Sequence, residues 1–252
     1  KGLVMGIANE RSIAWGIAKE AYNHGAELCL TYQNEVFKDR ISKLGNTIDC
    51  KHILECDVEN IANIINLFQT LKTRWNKIDF IIHALAFSDK NELKGNFYDT
   101  SKSNFRKTLL ISTFSLTEIT REAQDLMSTD GGSILTLTYI GGNRTAPNYN
   151  IMGVAKSALE ASVRYLSVDL GQKNIRVNSL SSGPMRTLAG SAITGARHIY
   201  RHSERNSPIG RNPSLQEVSK SAIYLISDLS SGVTGENHFV DGGYNITAIP
   251  KE

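Results

Sequence analysis

Short runs of apolar residues alternate along the chain with longer stretches in which apolar residues recur at helical spacing. The short runs are rich in Ile, Val and Leu without clean alternation, which is typical of strands buried on both faces of a parallel sheet. These runs are LVMGI, AELCLTY, HILECDV, IDFIIHA, SILTLTY, IRVNSLS and ENHFVDGG. The pattern therefore predicts a mainly parallel sheet of about seven strands.

The stretches between these runs have the period of amphipathic helices. Helices are predicted over residues 13–23, 61–75, 101–127, 149–170 and 214–226. Strands that alternate with helices are typical of an α/β, Rossmann-like, doubly wound sheet with helices on both faces. Because no linker, repeat or change in composition marks a boundary, a single domain over residues 1–252 is predicted.

Composition and charge argue against several classes of protein. Hydrophobic residues make up 40% of the chain and charged residues 21%, which suits a globular protein with a sizeable core. The net charge of +3 is too small to favour nucleic acid or membrane binding, and no apolar run approaches the ~20 residues that span a bilayer. Three cysteines without metal-ligand spacing argue against a disulfide framework or a metal site, so a cytoplasmic location is favoured.

The turn after the first predicted strand is a candidate cofactor site, because ligands of doubly wound sheets bind beyond the carboxyl ends of the strands. The segment GIANERSIAWG lacks the full G-x-G-x-x-G spacing. Gly6 nevertheless permits a sharp turn, and Ser12 is a good N-cap for a helix that begins at Ile13. Such a helix end offers N–H groups to a pyrophosphate, although the segment also fits an ordinary turn with a serine cap.

The ends of the next three strands bear on which nucleotide would bind. After the second strand, Gln33 is neutral and Glu35 disfavours a 2′-phosphate, so the sequence favours NADH over NADPH. After the third strand, Asp57 suits either a hydrogen bond from an adenine amino group or a cap of the following helix. The fourth strand contains His83, which follows two isoleucines in a buried run and is interpreted as structural.

Two tyrosines and a lysine occur together in the segment TYIGGNRTAPNYNIMGVAK. Pro147 suits the first turn of a helix on which Tyr149 and Lys156 share a face, ~10 Å apart along the axis. A lysine there can hold ribose hydroxyls and lower the pKa of a nearby phenol, while a tyrosine can stabilise charge that develops on a substrate oxygen. Tyr139 ends the preceding strand, so the three converge on the binding edge; the alternative is a surface helix with an incidental Tyr and Lys.

The spacing Tyr139-x9-Tyr149-x6-Lys156 closely resembles the NADH-dependent enoyl-acyl-carrier-protein reductases of bacterial type II fatty acid synthesis, which are divergent short-chain dehydrogenases/reductases. The resemblance covers nearly the whole chain through GIANERSIAWGIA, LTYQN, CDV, SGPMRTLAGSAI and SDLSSGVTGENHFVDGGYNI. It implies reduction of the trans-2 double bond of an enoyl thioester with NADH, the last reductive step of each elongation cycle. It also implies that Tyr149 stabilises the enolate oxygen, Lys156 holds the nicotinamide ribose and Tyr139 lines the acyl site.

The resemblance further implies the remaining cofactor contacts, a lid and an assembly. The implied NADH contacts are Gly6, Ala8, Ser12, Ile13, Gln33, Asp57, Val58, Ala86, Lys156, Met185 and Thr187. Residues 187–206 correspond to a substrate lid, in which Ala196 stands where a bulky aromatic residue is expected. A homotetramer that receives its substrate on acyl carrier protein is implied, with the predicted helices 101–127 and 149–170 packing across subunits.

Two other functions compete with this interpretation. A 3-ketoacyl-type carbonyl reductase needs a tyrosine four residues before Lys156, where this chain has Met152. Ser112 also stands where carbonyl-reducing relatives tend to have asparagine. A non-catalytic NAD(H)-sensing scaffold needs the first turn but neither Tyr149 nor Lys156.

Overall fold

A computed structural model describes residues 1–127, 130–191 and 193–249. In this part of the chain, the strands are β1 (Gly2–Met5), β2 (Leu28–Tyr32), β3 (His52–Glu55), β4 (Phe80–His83), β5 (Gly132–Thr138), β6 (Ile175–Ser182) and β7 (Asn237–Val240). They form one sheet in the order β3-β2-β1-β4-β5-β6-β7, and every neighbouring pair is parallel. The predicted doubly wound, Rossmann-like sheet is confirmed.

The helices lie between the strands along the chain. They are α1 (Ile13–Asn23), α2 (Glu35–Asn46), α3 (Ile61–Trp75), α4 (Lys102–Leu109), α5 (Ser115–Ala123), α6 (Asn150–Gly171), α7 (Leu188–Ser191), α8 (Ala196–Asn206) and α9 (Leu215–Ile226). Of the helices in the described ranges, none is long and apolar enough to cross a bilayer. The single sheet is compatible with one domain over residues 1–252, which stays a prediction.

The core consists of two apolar layers, one on each face of the sheet. On β1, Leu3 and Met5 pack with residues of α3, α5 and α6, whereas Val4 packs with residues of α1 and α9. This division follows from the alternation of side chains along a strand, since both sides of each central strand are covered. The absence of a polar face on β1 and β2, where every residue is buried, is the signal that predicted a parallel sheet.

The helices differ from the prediction in two places. The predicted helix over 101–127 is two helices, α4 and α5, joined by a π-helical turn over Leu110–Phe114, and α5 ends at Ala123. The helix α2 was not predicted, because its sequence is mostly polar and buries only Ile41 and Gly45. Its start is marked by Asn34, whose side chain accepts a hydrogen bond from the N–H of Val36.

The helix that carries Lys156 begins later than its sequence suggests. Asn148 and Asn150 have φ values of 57° and 33°, in the left-handed region that asparagine tolerates better than most residues. Because this backbone cannot continue a right-handed helix, Pro147 lies outside α6 and its predicted place in the first turn is wrong. Tyr149 is the N-cap residue of α6.

Candidate active site

The turn between β1 and α1 lies directly against the end of β4. Gly6 has a φ of 94°, and a Cβ on this residue would lie 2.1 Å from the carbonyl oxygen of Ala84. Both the conformation and the close approach therefore require glycine. The result is a turn whose backbone packs directly against the end of β4 at the carboxyl edge of the sheet.

Ser12 occupies the N-cap position of α1, but its side chain does not cap the helix. Its Oγ accepts hydrogen bonds from the backbone N–H groups of Ala8, at 3.0 Å, and Asn9, at 3.1 Å. The predicted capping role is wrong, because the hydroxyl holds the preceding turn instead. The start of α1 thus keeps its positive dipole end for an anionic ligand.

A cleft of about 250 Å³ extends from this turn across the ends of β2, β3 and β4. Six of the predicted cofactor residues line it: Gly6, Ala8, Gln33, Asp57, Val58 and Ala86. The other predicted cofactor residues lie outside it. Ile13 and Met185 pack against the apolar layer of α1, and Thr187 Oγ1 accepts a hydrogen bond from the N–H of Gly190 at 3.0 Å.

Asp57 does not cap α3, since Asn60 has that role. The Asp57 Oδ1 accepts a hydrogen bond from the N–H of Glu59 at 3.1 Å, and its own N–H donates to Asn63 Oδ1 at 3.2 Å. These bonds fix the turn after β3 while the residue lines the cleft. The sequence left two roles open for Asp57, and the structure excludes its role as a helix cap.

Several residues at this cleft escaped the sequence analysis. Phe37 of α2 lines the cleft, and Arg40, one helical turn later, donates a hydrogen bond to the carbonyl oxygen of Ala8 at 3.1 Å. On the opposite side, Lys107 Nζ lies 3.0 Å from a Glu59 carboxylate oxygen and 4.9 Å from the centre of the Phe87 ring. Phe37 and Arg40 could have been predicted only together with α2, and the mostly polar sequence of α2 gave little indication of a helix.

The π-helical turn holds the segment after β4 that lines the cleft. Ser112 Oγ accepts a hydrogen bond from the N–H of Phe87 at 3.0 Å and donates one to its carbonyl oxygen at 3.1 Å. The neighbouring Ala86 faces the cleft. A serine at position 112 thus fixes backbone next to the cofactor site instead of presenting an amide to it.

His83 is fully buried beneath the site. Its ring nitrogens lie 2.9 Å from Thr136 Oγ1 and 2.9 Å from Ser115 Oγ. Burial lowers the pKa of His83 to about 3, so the imidazole is neutral. This environment fits the interpretation of His83 as a structural residue.

Tyr139 and Tyr149 pack edge to face at the start of α6. Their ring centres are 5.2 Å apart, with an angle of 69° between the ring planes. Burial raises the pKa of Tyr139 to about 12 and raises the pKa of Tyr149 further, with Tyr139 and Glu160 adding to the second shift. The sequence predicted that Lys156 would lower a phenol pKa here; the structure contradicts this, because desolvation of a phenolate dominates.

Lys156 lies two helical turns after Tyr149 and is buried. Its Nζ donates a hydrogen bond to the carbonyl oxygen of Leu137 at 2.7 Å, near the end of β5. Burial lowers the pKa of Lys156 to about 8, and the negative charge of Glu160 acts in the opposite direction. Lys156 is thus bonded to the strand end two residues before Tyr139, and Tyr139 packs on Tyr149.

Comparison with known proteins decides the family. The model of the enoyl-(acyl carrier protein) reductase family matches residues 6–245. The chain belongs to this family. A curated enoyl-[acyl-carrier-protein] reductase [NADH] of Rhizobium meliloti is 54% identical over 250 residues, covering 99% of this chain and 93% of the relative. A second such enzyme, from Rickettsia bellii, is 52% identical over all of this chain and 95% of its own length.

Solved structures of enoyl reductases have the same fold. The FabI structure from Candidatus Liberibacter asiaticus has a TM-score of 0.96 and 51% identity, covering 99% of this chain and 96% of that one. The reductase from Anaplasma phagocytophilum, in complex with NAD, has a TM-score of 0.96 and 48% identity, covering 100% and 95%. The Bacillus cereus enzyme, with NADP+ and indole naphthyridinone, has a TM-score of 0.96 and 46% identity, covering 98% and 97%. The resemblance inferred from the motifs is confirmed.

A buried carboxylate of this enoyl reductase lies one helical turn after Lys156 and was not predicted. Glu160 Oε1 accepts a hydrogen bond from Thr138 Oγ1 at 2.6 Å, and its Oε2 accepts one from Asn143 Nδ2 at 3.1 Å. Burial raises the pKa of Glu160, which these hydrogen bonds counteract. The signal was present in the sequence, since Glu160 follows Lys156 by four residues and so shares its helix face.

The predicted lid region of the enoyl reductase, residues 187–206, contains α7 and α8; position 192 lies outside the described residues. Asn148 Nδ2 donates to the carbonyl oxygen of Thr194 at 2.8 Å, which joins this region to the start of α6. The Arg186 guanidinium lies 4.7 Å from the centre of the Tyr200 ring. Ala196, where the family resemblance suggested a bulky aromatic residue, begins α8 and is partly buried.

Proposed function

We propose that this enoyl reductase uses NADH to reduce the trans-2 double bond of enoyl thioesters carried by acyl carrier protein. The proposal is carried by the packing of Tyr139 on Tyr149 at the start of α6, with Lys156 bonded to the end of the strand that leads to Tyr139, in a chain of this family. In the position four residues before Lys156, Met152 is buried among apolar side chains and offers no acid.

The residues of the first turn fit a dinucleotide. The start of α1, which no side chain caps, and the adjoining cleft suit a pyrophosphate and an adenosine. Lys156 would hold ribose hydroxyls as a hydrogen-bond donor. When bound, NADH supplies the hydride for the reaction. The predicted NADH contacts that do not line the cleft remain part of the proposal: Ser12, Ile13, Lys156, Met185 and Thr187.

The chemistry of Tyr149 suits the charge that forms in this reduction. Hydride addition to the β-carbon of a conjugated thioester moves negative charge to the thioester oxygen. Because burial keeps the Tyr149 phenol protonated, its hydroxyl is a hydrogen-bond donor for that oxygen. Tyr139, packed on its ring, limits the positions that Tyr149 can take and lines the acyl site in this proposal.

Consumption of NADH with a short trans-2-enoyl thioester and, in parallel, with a 3-ketoacyl thioester tests the proposal. We expect turnover of the enoyl substrate alone. Turnover of the ketone alone would support a carbonyl reductase, and NADH binding without turnover of either would support a sensing scaffold. Repeating the assay with NADPH tests the cofactor preference, which is contradicted if NADPH supports faster turnover at equal concentration.

The partners in this proposal are acyl carrier protein and further copies of the chain. A row of exposed arginines on α8, at Arg197, Arg201 and Arg205, supports an acidic protein partner. Exposed apolar side chains on α6, Tyr165 and Val168, support the predicted homotetramer. The cytoplasmic location stays in the proposal on the basis of cysteine usage.

A further inference from the structure

A buried carboxylate joins the two parts of the candidate active site. Glu160 lies on α6, and only 5% of the residue's surface is exposed. Its two oxygens accept hydrogen bonds from Thr138 and Asn143, which flank Tyr139 in sequence. The carboxylate therefore bonds to both ends of the turn that carries Tyr139.

This turn lies unusually close to α6. A Cβ on Gly142 would lie 2.8 Å from Glu160 Oε1, and a Cβ on Gly153 would lie 2.9 Å from the carbonyl oxygen of Gly141. Ser157 Oγ also donates a hydrogen bond to the carbonyl oxygen of Gly142. Glycines at these positions permit the contact, and Glu160 supplies the hydrogen bonds that fix its register.

The charge of Glu160 also acts on Lys156. On α6 itself, Glu160 is four residues from Lys156 and from Arg164, whose charge favours the carboxylate form. From the adjoining elements, the charge of Lys156 acts on His83 of β4, and the charge of Glu160 acts on Tyr149. The Glu160 carboxylate is thus a charge that favours the ammonium form of Lys156 against its burial, in addition to the hydrogen bond to Leu137.

We infer that Glu160 is a positioning residue of this site, which fastens the Tyr139 turn to α6 and keeps a negative charge one helical turn from Lys156. The inference rests on the proposed function, because it concerns the residues proposed to act on NADH and on the enoyl thioester. Glu160 acts through Lys156 and Tyr139 and need not touch either ligand.

The variant Glu160→Gln separates charge from hydrogen bonding. A glutamine keeps the size of the side chain and, if the amide of Asn143 turns over, both hydrogen bonds. Loss of the charge should lower the pH at which NADH affinity is lost, by about one unit, which corresponds to about tenfold weaker binding above both midpoints. Affinity at low pH, where Lys156 is charged in either protein, should change little.

Fluorescence titration of NADH from pH 6 to pH 9 measures this shift in the wild type, Glu160→Gln, Glu160→Asp and Glu236→Gln. Glu236 is exposed before β7 and provides a control for loss of one charge. Glu160→Asp keeps the charge and should restore the wild-type midpoint. The inference would be overturned if the NADH affinity of Glu160→Gln had the same pH midpoint as the wild type, whether the affinity were unchanged or weakened equally at every pH.

Thr138→Val tests the attachment of the Tyr139 turn to α6, and it remains informative if Glu160→Gln does not fold. It removes one hydrogen bond to the Tyr139 turn, so we expect lower kcat with enoyl thioester and little change in NADH affinity. Wild-type values of both quantities would overturn the positioning role. Failure of the wild-type protein to reduce any enoyl thioester would instead reject the proposed function, whereas the NADH titrations would still test the effect of Glu160 on Lys156.

Discussion

Tyr149 is proposed to stabilise the thioester oxygen through its hydroxyl group, which burial keeps protonated. We therefore expect Tyr149→Phe to lower kcat by about 100-fold, the usual effect of removing one preorganised donor, while the Kd of NADH stays nearly constant. Steady-state kinetics with an enoyl thioester and fluorescence titration of NADH measure the two quantities. Tyr98→Phe is the matched control, since Tyr98 lies outside α6 and is 82% exposed. Unchanged kcat in Tyr149→Phe would contradict the proposed role.

Lys156 gives NADH binding a predictable pH dependence. Burial lowers the pKa of this lysine from 10.5 to about 8 in the free protein, so the proton is lost as pH rises through that value. If the ammonium holds the ribose, NADH binds with full affinity below about pH 8. The affinity falls as pH rises above that value, and it becomes constant again above the pKa that Lys156 has in the NADH complex.

The dissociation constant of NADH, measured from pH 6.5 to about 9.5, tests this expectation. Lys156→Ala should bind NADH weakly at every pH. Lys156→Arg keeps its charge throughout this range, so whatever affinity it retains should not vary with pH. A constant affinity of the wild-type protein across the range would show that the charge of Lys156 is not used.

The spacing of Tyr139, Tyr149 and Lys156 could be interpreted from sequence because helix periodicity fixes which residues share a face. The partners of their side chains could not be predicted in the same way. Ser12 has the right position for a cap, yet it bonds to the preceding turn, a choice that depends on local backbone geometry. The pKa of Tyr149 depends on how deeply the folded chain buries it, which the spacing does not report.

The helix α8 presents Arg197, Arg201 and Arg205 at intervals of four residues, so they lie along one face, and all three are exposed. We expect Arg201→Glu to raise the KM for an enoyl chain on acyl carrier protein severalfold, because reversal of a rim charge slows association with an acidic partner. The KM for a small enoyl thioester should not change.

Parallel assays with the two substrates, at low and high salt, measure this difference. Lys220→Glu on α9 is the control, since it reverses an exposed charge away from α8. An equal rise in KM for both substrates would place Arg201 in the substrate site instead of at a protein-binding face.

Element boundaries show where sequence patterns lose information. An apolar period predicted α3 and α9 with the observed bounds, apart from the cap residue of α9. The π-helical turn between α4 and α5 keeps a helical pattern on both sides, so nothing in the periodicity marks it. It is nevertheless the turn that places Ser112 against Phe87 at the cleft.

The sheet as a whole could be predicted because its central strands are apolar on both faces, and only a parallel sheet covered by two layers of helices buries them. Strand order β3-β2-β1-β4 brings the first turn between β2 and β4, which is why Gly6, Gln33, Asp57 and Ala86 share one cleft although they lie far apart in sequence. The volume and lining of that cleft depend on side-chain packing, and the apolar pattern carries no information about them.

The surface of α6 bears on the proposed homotetramer. Tyr165 and Val168 are 77% and 78% exposed, and Val154 on the same helix is 38% exposed, although α6 otherwise forms part of the core. An exposed apolar row on a long helix is typical of a surface that another protein covers. Since the predicted homotetramer packs this helix across subunits, we expect the double variant Tyr165→Asp and Val168→Asp to form smaller species.

Light scattering coupled to size-exclusion chromatography measures the mass of the wild type and of this variant. The chain mass is 27.8 kDa, so a tetramer and its dissociation products are readily distinguished. Val36→Asp is the control, because Val36 is 81% exposed on α2, away from α6, and should leave the assembly intact. A wild-type protein that elutes as a monomer, or a double variant with the mass of the wild-type assembly, would contradict packing through α6. The aspartates of the double variant disfavour assembly only if a partner chain removes positions 165 and 168 from water.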